Sequence, residues 1–126
     1  MNKEFFILLS MIFLHIIDDY KLQGILANMK QKAWWKEQIG YKELYKYDYI
    51  VALIEHSFSW TFMVMLPIVI SLRSDIGLLI VAYVVNIAIH ATVDTLKANA
   101  LKINLVTDQL IHILQIVVTW LVFILT

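Results

Sequence analysis

The chain has 126 residues, of which 61% are hydrophobic and only 16% charged, and its mean hydropathy is +0.76. A single domain of this length cannot hide so much apolar surface in a water-soluble core, so the composition calls for lipid and excludes an ordinary soluble fold. Ten basic and ten acidic residues balance, which gives no bulk electrostatic reason to expect a nucleic-acid partner; the sequence contains no cysteine, so disulfides, thiolate ligands and thiol nucleophiles are excluded.

The implied fold class is all-α: residues 1–126 form a single integral membrane bundle of about four antiparallel transmembrane helices with an interfacial loop segment. The first predicted span covers residues 5–28. It opens with the apolar run from Phe5 to Ile17 and leaves through Asp18, Asp19 and Gln23. No small-residue cleavage site follows it and acidic residues interrupt it, so it is expected to be retained rather than removed as a signal peptide. Residues 30–49 interleave lysines with Trp34, Trp35, Tyr41, Tyr45, Tyr47 and Tyr49, as a partly helical segment at headgroup level does.

The second predicted span, residues 50–72, contains Pro67, which neighbouring helices accommodate in a membrane. A short turn at Arg73, Ser74 and Asp75 leads to a third span, residues 76–98, and a loop at Asn99 to Asn104 leads to the fourth, residues 105–126. These short connections favour antiparallel neighbours. Lys21, Lys30, Lys32, Lys36, Lys42, Lys46, Lys97 and Lys102 all fall at one end of such a bundle, against only Lys3 and Arg73 at the other. By the positive-inside tendency the lysine-rich end is cytoplasmic and both termini lie outside, in a multi-pass protein of the cell inner (plasma) membrane.

That topology gathers the histidines. His15 ends span one, His56 begins span two, His90 ends span three and His112 begins span four, so all four share the cytoplasmic end. His15 and Asp19, His90 and Asp94, and Asp108 and His112 are four residues apart and share helix faces, while Glu55 adjoins His56. Asp18 reads as a solvated neighbour of Asp19. An ionisable group inside a membrane costs roughly 2.5–3.5 kcal/mol on insertion, so a cluster of them needs mutual compensation.

A divalent metal provides such compensation. Neutral imidazoles and ionised carboxylates suit zinc first, with manganese or iron as alternatives. The candidate ligands are His15, Asp19, His90, Asp94, Asp108 and His112. His56 is a further ligand or a general base, Lys97 a stabiliser of developing negative charge, and Gln23, Glu55 and Gln109 orient ligands or water. The competing structural reading is a network of hydrogen bonds and salt bridges, with Lys97 neutralising an aspartate. Each half of the chain supplies two histidines and two carboxylates, which raises the idea of an old hairpin duplication with pseudo-twofold symmetry about the membrane normal.

Four segments carry a family resemblance: His15-Ile16-Ile17-Asp18-Asp19-Tyr20-Lys21-Leu22-Gln23, Glu55-His56-Ser57, His90-Ala91-Thr92-Val93-Asp94-Thr95-Leu96-Lys97, and Asp108-Gln109-Leu110-Ile111-His112. In this order they resemble an uncharacterised family of small bacterial and phage membrane proteins, catalogued as domain of unknown function 3307. The resemblance spans nearly the whole chain, with Asp18 standing where a small residue is usual. It implies a shared site and names no reaction. The same motifs resemble, more remotely and by fold-level analogy, those of membrane-bound metal-dependent hydrolases.

Three functions follow as expectations. The first is a metal-dependent hydrolase acting on a lipid or lipid-linked substrate at the cytoplasmic face. The second is a carrier or channel for metal ions or protons, for which only Gln115 and Thr119 continue polar positions outward, unless a homo-oligomer builds the path between subunits. The third is a non-catalytic membrane scaffold. With three glycines and no nucleophile elbow or dinucleotide fingerprint, nucleotide chemistry has no support.

Overall fold

The computed structural model describes residues 2–39, 42–72 and 74–126, so Tyr41 of the aromatic segment and Arg73 of the expected turn lie outside the described residues. Helices account for nearly all of the rest: α1 (Lys3–Ile17), α2 (Leu26–Met29), α3 (Lys32–Ile39), α4 (Asp48–Ser71), α5 (Ile76–Ala98) and α6 (Leu105–Leu125). Their starts follow from local chemistry. Asn2, Asp75 and Asn104 each accept a backbone N–H of the first turn that the helix itself cannot satisfy, from Glu4, Leu78 and Thr107.

Helices α1, α4, α5 and α6 pack in a ring, each against the next, with α6 closing on α1. Their directions alternate. Lys3 Nζ at the start of α1 donates to the carbonyl of Ser71 at the end of α4, and Trp120 Nε1 near the end of α6 donates to the carbonyl of Glu4. The core of one end is apolar, built from Ile7, Met11, Val64, Met65, Ile68, Ile116 and Phe123. Outward faces carry Phe6, Phe13, Phe58, Ile70, Val84 and Leu114, more exposed apolar surface than a water-soluble monomer of this size tolerates. Among the described residues, three helices are long and apolar enough to cross a membrane: α4 together with its lead-in from Glu43, α5 and α6.

The first helical stretch differs from expectation in a way that shapes the site. Helix α1 passes without a break into a π-helical turn, Asp18–Leu22, and the helix stops at Gln23. Gly24 then takes φ of +50°, a left-handed conformation that only glycine adopts cheaply. Instead of one helix running on to Met29, the chain folds back through the short α2 and packs it on α4. The segment beyond is partly helical, with α3 and a 3₁₀ turn at Glu43–Tyr45, and its aromatics hold it together. Trp35 stacks on Tyr45, meets Trp34 edge to face and donates its indole N–H to the Met29 carbonyl.

Candidate metal centre

The helix ends opposite the apolar core converge on a polar cluster that is almost wholly buried. His15, Asp18, His56, His90, Asp94, Asp108 and His112 are each at most 3% exposed. Antiparallel packing brings the end of α1, the start of α4, the end of α5 and the start of α6 to one depth. The π-helical turn then sets both Asp18 and Asp19 against α4, a common use of such bulges near functional sites.

His56 and His90 are the centre of the cluster, with their Nε2 atoms 3.2 Å apart. His56 Nε2 also lies 3.4 Å from Asp19 Oδ1 and 3.4 Å from Asp94 Oδ2. The other oxygen of Asp94 lies 3.4 Å from His112 Nε2, which is itself 3.5 Å from Asp108 Oδ1. Donors about 2.0–2.1 Å from a tetrahedral zinc lie roughly 3.3–3.4 Å from one another, so these spacings could hold a metal ion as well as the hydrogen bond and ion pairs they describe. Two donor sets result, Asp19 with His56 and His90, and His90 with Asp94 and His112. They share His90, and Asp94 presents one oxygen toward each.

Unsatisfied atoms point the same way. His112 is fully buried and, among the described residues, neither of its ring nitrogens has a hydrogen-bond partner; Asp108 Oδ1, beside its Nε2, also has none. Leaving a buried polar atom unpaired costs about 1–3 kcal/mol, so such a concentration of them among ligand-type side chains fits a bound cation. Charge agrees as well. Asp18, Asp19, Asp94 and Asp108 face two ammonium groups, Lys30 on Asp94 Oδ2 at 2.6 Å and Lys97 on Asp108 Oδ2 at 2.7 Å. With neutral histidines the excess equals the charge of one divalent ion.

The other flank of the cluster is closed by ordinary hydrogen bonds. Trp60 Nε1 donates to His15 Nδ1 at 2.7 Å, which leaves the proton on His15 Nε2 to donate to Gln109 Oε1 at 3.1 Å. The amide nitrogen of Gln109 donates in turn to Asp19 Oδ2 and Asp108 Oδ2. Both nitrogens of His15 are thus engaged, and His15 and Asp108 stand outside the two donor sets. Trp60 also stacks on His90, with ring centroids 4.3 Å apart, and separates the polar cluster from the apolar core.

Among the residues singled out from sequence, Glu55 is the one the fold does not bring in: it is exposed on the outward face of α4, about a quarter turn from His56. Its proposed counterpart in a duplicated hairpin, Asp108, is buried, so the two halves do not use their carboxylates alike. Gln23 donates to the Asp19 carbonyl and secures the π-helical turn. Lys97 stands at the rim. Asp18, expected to be solvated, is instead fully buried and accepts from Ser59 Oγ at 2.7 Å. The physical reason is that residues 15, 18 and 19 share one helix face, so the ring that buries His15 buries both aspartates.

Sequence reasoning missed Trp60 and Lys30. Trp60 lies one helical turn beyond His56, and that i,i+4 spacing was a usable signal. Lys30 had none, because its position depends on a tertiary clamp: Asn99 Nδ2 donates to the Lys30 carbonyl while Asn99 Oδ1 accepts the Lys32 N–H. A cavity of about 330 Å³ opens beside the cluster, lined by Gln23, Gln31, Lys30, Asp94, Lys97 and the small side chain of Ala98 among others. On the far side of the histidines, Asn86, Gln115 and Thr119 hydrogen-bond one another and prolong the polar faces of α5 and α6.

No family model matches the chain, and neither a curated protein nor a solved structure does. The functional reading therefore stands on the geometry.

Proposed function

We propose that this protein is a membrane-embedded metalloprotein, and that its centre serves hydrolysis of a lipid or lipid-linked substrate. The observation that carries the reading is the set of buried imidazole and carboxylate atoms 3.2–3.5 Å apart, with the His112 ring facing two carboxylates and making no hydrogen bond among the described residues. Zinc suits this mixed nitrogen and oxygen set, and manganese or iron are the alternatives. On this reading α1 and its π-helical turn make a fourth span of the inner membrane, the ends of this chain lie outside, and the cluster faces the cytoplasm. Membership in the family of domain of unknown function 3307 is part of the same proposal.

A divalent ion held here would supply a Lewis acid and a hydroxide source near neutral pH. The chain's own residues supply the rest. Asp19, His56, His90, Asp94 and His112 present the donor atoms. Asp18 places a carboxylate 3.9 Å from His56 Nδ1, beyond hydrogen-bond distance, and Gln109 ties Asp19 to Asp108. Trp60 and the apolar core keep water from the rear of the site, while Lys30 and Lys97 place positive charge at its mouth.

A metal-ion or proton carrier is the second reading, favoured by the Asn86, Gln115 and Thr119 extension. Purified protein assayed for bound metal, then for release of phosphate or head groups from phospholipids with and without a chelator, separates the two. Chelator-sensitive hydrolysis establishes the enzyme. Stoichiometric metal without hydrolysis, together with metal flux in liposomes, establishes the carrier. Absence of stoichiometric metal after zinc loading refutes both metal readings.

A further inference from the structure

The two lysines do more than neutralise aspartates. Each ammonium has three donors, and the structure engages one donor of Lys30 with Asp94 and one of Lys97 with Asp108. Both side chains line the same cavity, between residues 23–31 and the end of α5, and its volume of about 330 Å³ falls within the range of small-ligand sites. Gln23, also in the lining, has a buried Oε1 with no hydrogen-bond partner. Cationic donors beside a lining residue with an unpaired amide oxygen are the recognition chemistry of an oxyanion that still carries a proton.

We propose that this cavity is a phosphate subsite, binding a phosphate ion, or a phosphomonoester in its singly protonated form, between Lys30 and Lys97 with its P–OH donated to Gln23. The proposal rests on the metal reading in one respect: when a cation satisfies Asp94, Lys30 is released from it and turns its charge on the anion. Asp94 belongs both to the donor cluster and to the cavity wall, so a phosphoryl group held by the lysines lies beside the centre. Inorganic phosphate retains a proton near neutral pH, whereas sulfate does not, so Gln23 gives a preference for inorganic phosphate over sulfate.

The test is calorimetric titration of inorganic phosphate, and separately of sulfate, into the full chain in detergent, with and without zinc preloaded and desalted. Saturable phosphate binding is expected, with sulfate about tenfold weaker, the value of one lost hydrogen bond to a charged group. Lys30→Met and Lys97→Met should each weaken phosphate by tenfold or more, about 1.4 kcal/mol or above. Gln23→Leu should erase the preference over sulfate. Should the lysine variants fold poorly, Ala98→Leu fills the cavity without touching a charge, and it should abolish phosphate binding while bound metal persists.

Phosphate binding that is absent with and without zinc, or that none of these variants changes, overturns the subsite. Binding that survives with no zinc retained, and that Ala98→Leu still removes, keeps the subsite and refutes the metal reading alone. Nanodiscs of phosphatidylcholine containing phosphatidic acid decide the source. Displacement of phosphate by that lipid supports a head group as the occupant, and unchanged phosphate affinity supports the free ion.

Discussion

Trp60 donates its indole N–H to His15 Nδ1 at 2.7 Å, and that one bond fixes the proton of His15 on the nitrogen facing Gln109. The tautomer is therefore set from the apolar side of the cluster, by a side chain that is completely buried. Trp60→Phe keeps an aromatic surface against His90 and removes the donor. The expected cost is about 1–3 kcal/mol for an unpaired buried acceptor, read as lower thermal stability in detergent, with bound metal largely retained. A loss of metal as large as that of a ligand variant would show instead that His15 belongs to the coordination shell.

His90 is common to both donor sets, whereas His56 and His112 each belong to one. His90→Ala is accordingly expected to bring bound metal to background, while His56→Ala and His112→Ala weaken it without abolishing it. Asp108→Asn, outside both sets but bonded to Gln109 and Lys97, should lower affinity by about 10–100-fold, as the loss of an orienting partner does. Elemental analysis after dialysis against graded chelator gives the ranking. Equal losses in all three histidine variants would argue for one ion bound by all of them.

Glu55 and His56 are neighbours in sequence with opposite fates. His56 is fully buried, while Glu55 is exposed and makes no side-chain hydrogen bond or ion pair among the described residues. Glu55→Gln is expected to leave bound metal unchanged and to shift stability by no more than about 0.5 kcal/mol, as surface substitutions do. Metal content and melting temperature measured beside those of His56→Ala check this. Metal loss from Glu55→Gln would mean that α4 is rotated from the orientation described.

The contrast shows what the sequence made legible. Spacing of four residues placed His15 with Asp19, His90 with Asp94 and Asp108 with His112, and alternation of helix ends placed all of them together; both are properties of single helices and short loops. Glu55 was misjudged because adjacency in sequence turns a side chain about 100° around a helix, so it could not share the face of His56. Asp18 was undervalued because a pair of aspartates reads as solvated until the ring of helices closes over it. Lys30 was out of reach, since the Asn99 clamp that delivers it joins residues 69 positions apart.

Gly24 at φ +50° turns the chain from the end of the π-helix into α2, and so determines where Lys30 arrives. A Cβ there meets no close atom, its nearest contact being the Leu22 carbonyl oxygen at 3.9 Å, so Gly24→Ala is opposed by backbone strain alone. The expected loss is about 1–2 kcal/mol of stability, the ordinary cost of a left-handed alanine. A melting temperature equal to that of the parent would indicate that the turn adopts another conformation.

Lys30 couples the polar loop to the centre through its 2.6 Å bond to Asp94 Oδ2, the same oxygen that lies 3.4 Å from His56 Nε2. On the proposed metal reading, lysine and ion compete for that oxygen. Lys30→Met removes the competitor but leaves Asp94 buried with one cation fewer. In metal-free protein the variant should lose about 3–5 kcal/mol, the usual result of breaking a buried pair from one side. In metal-loaded protein the ion replaces the missing charge, so the deficit should shrink, and by thermodynamic linkage zinc should bind the variant more tightly than the parent. Melting curves at graded zinc concentrations give both quantities in one experiment. A deficit that stays constant across the zinc series would show that Lys30 and the metal do not share Asp94.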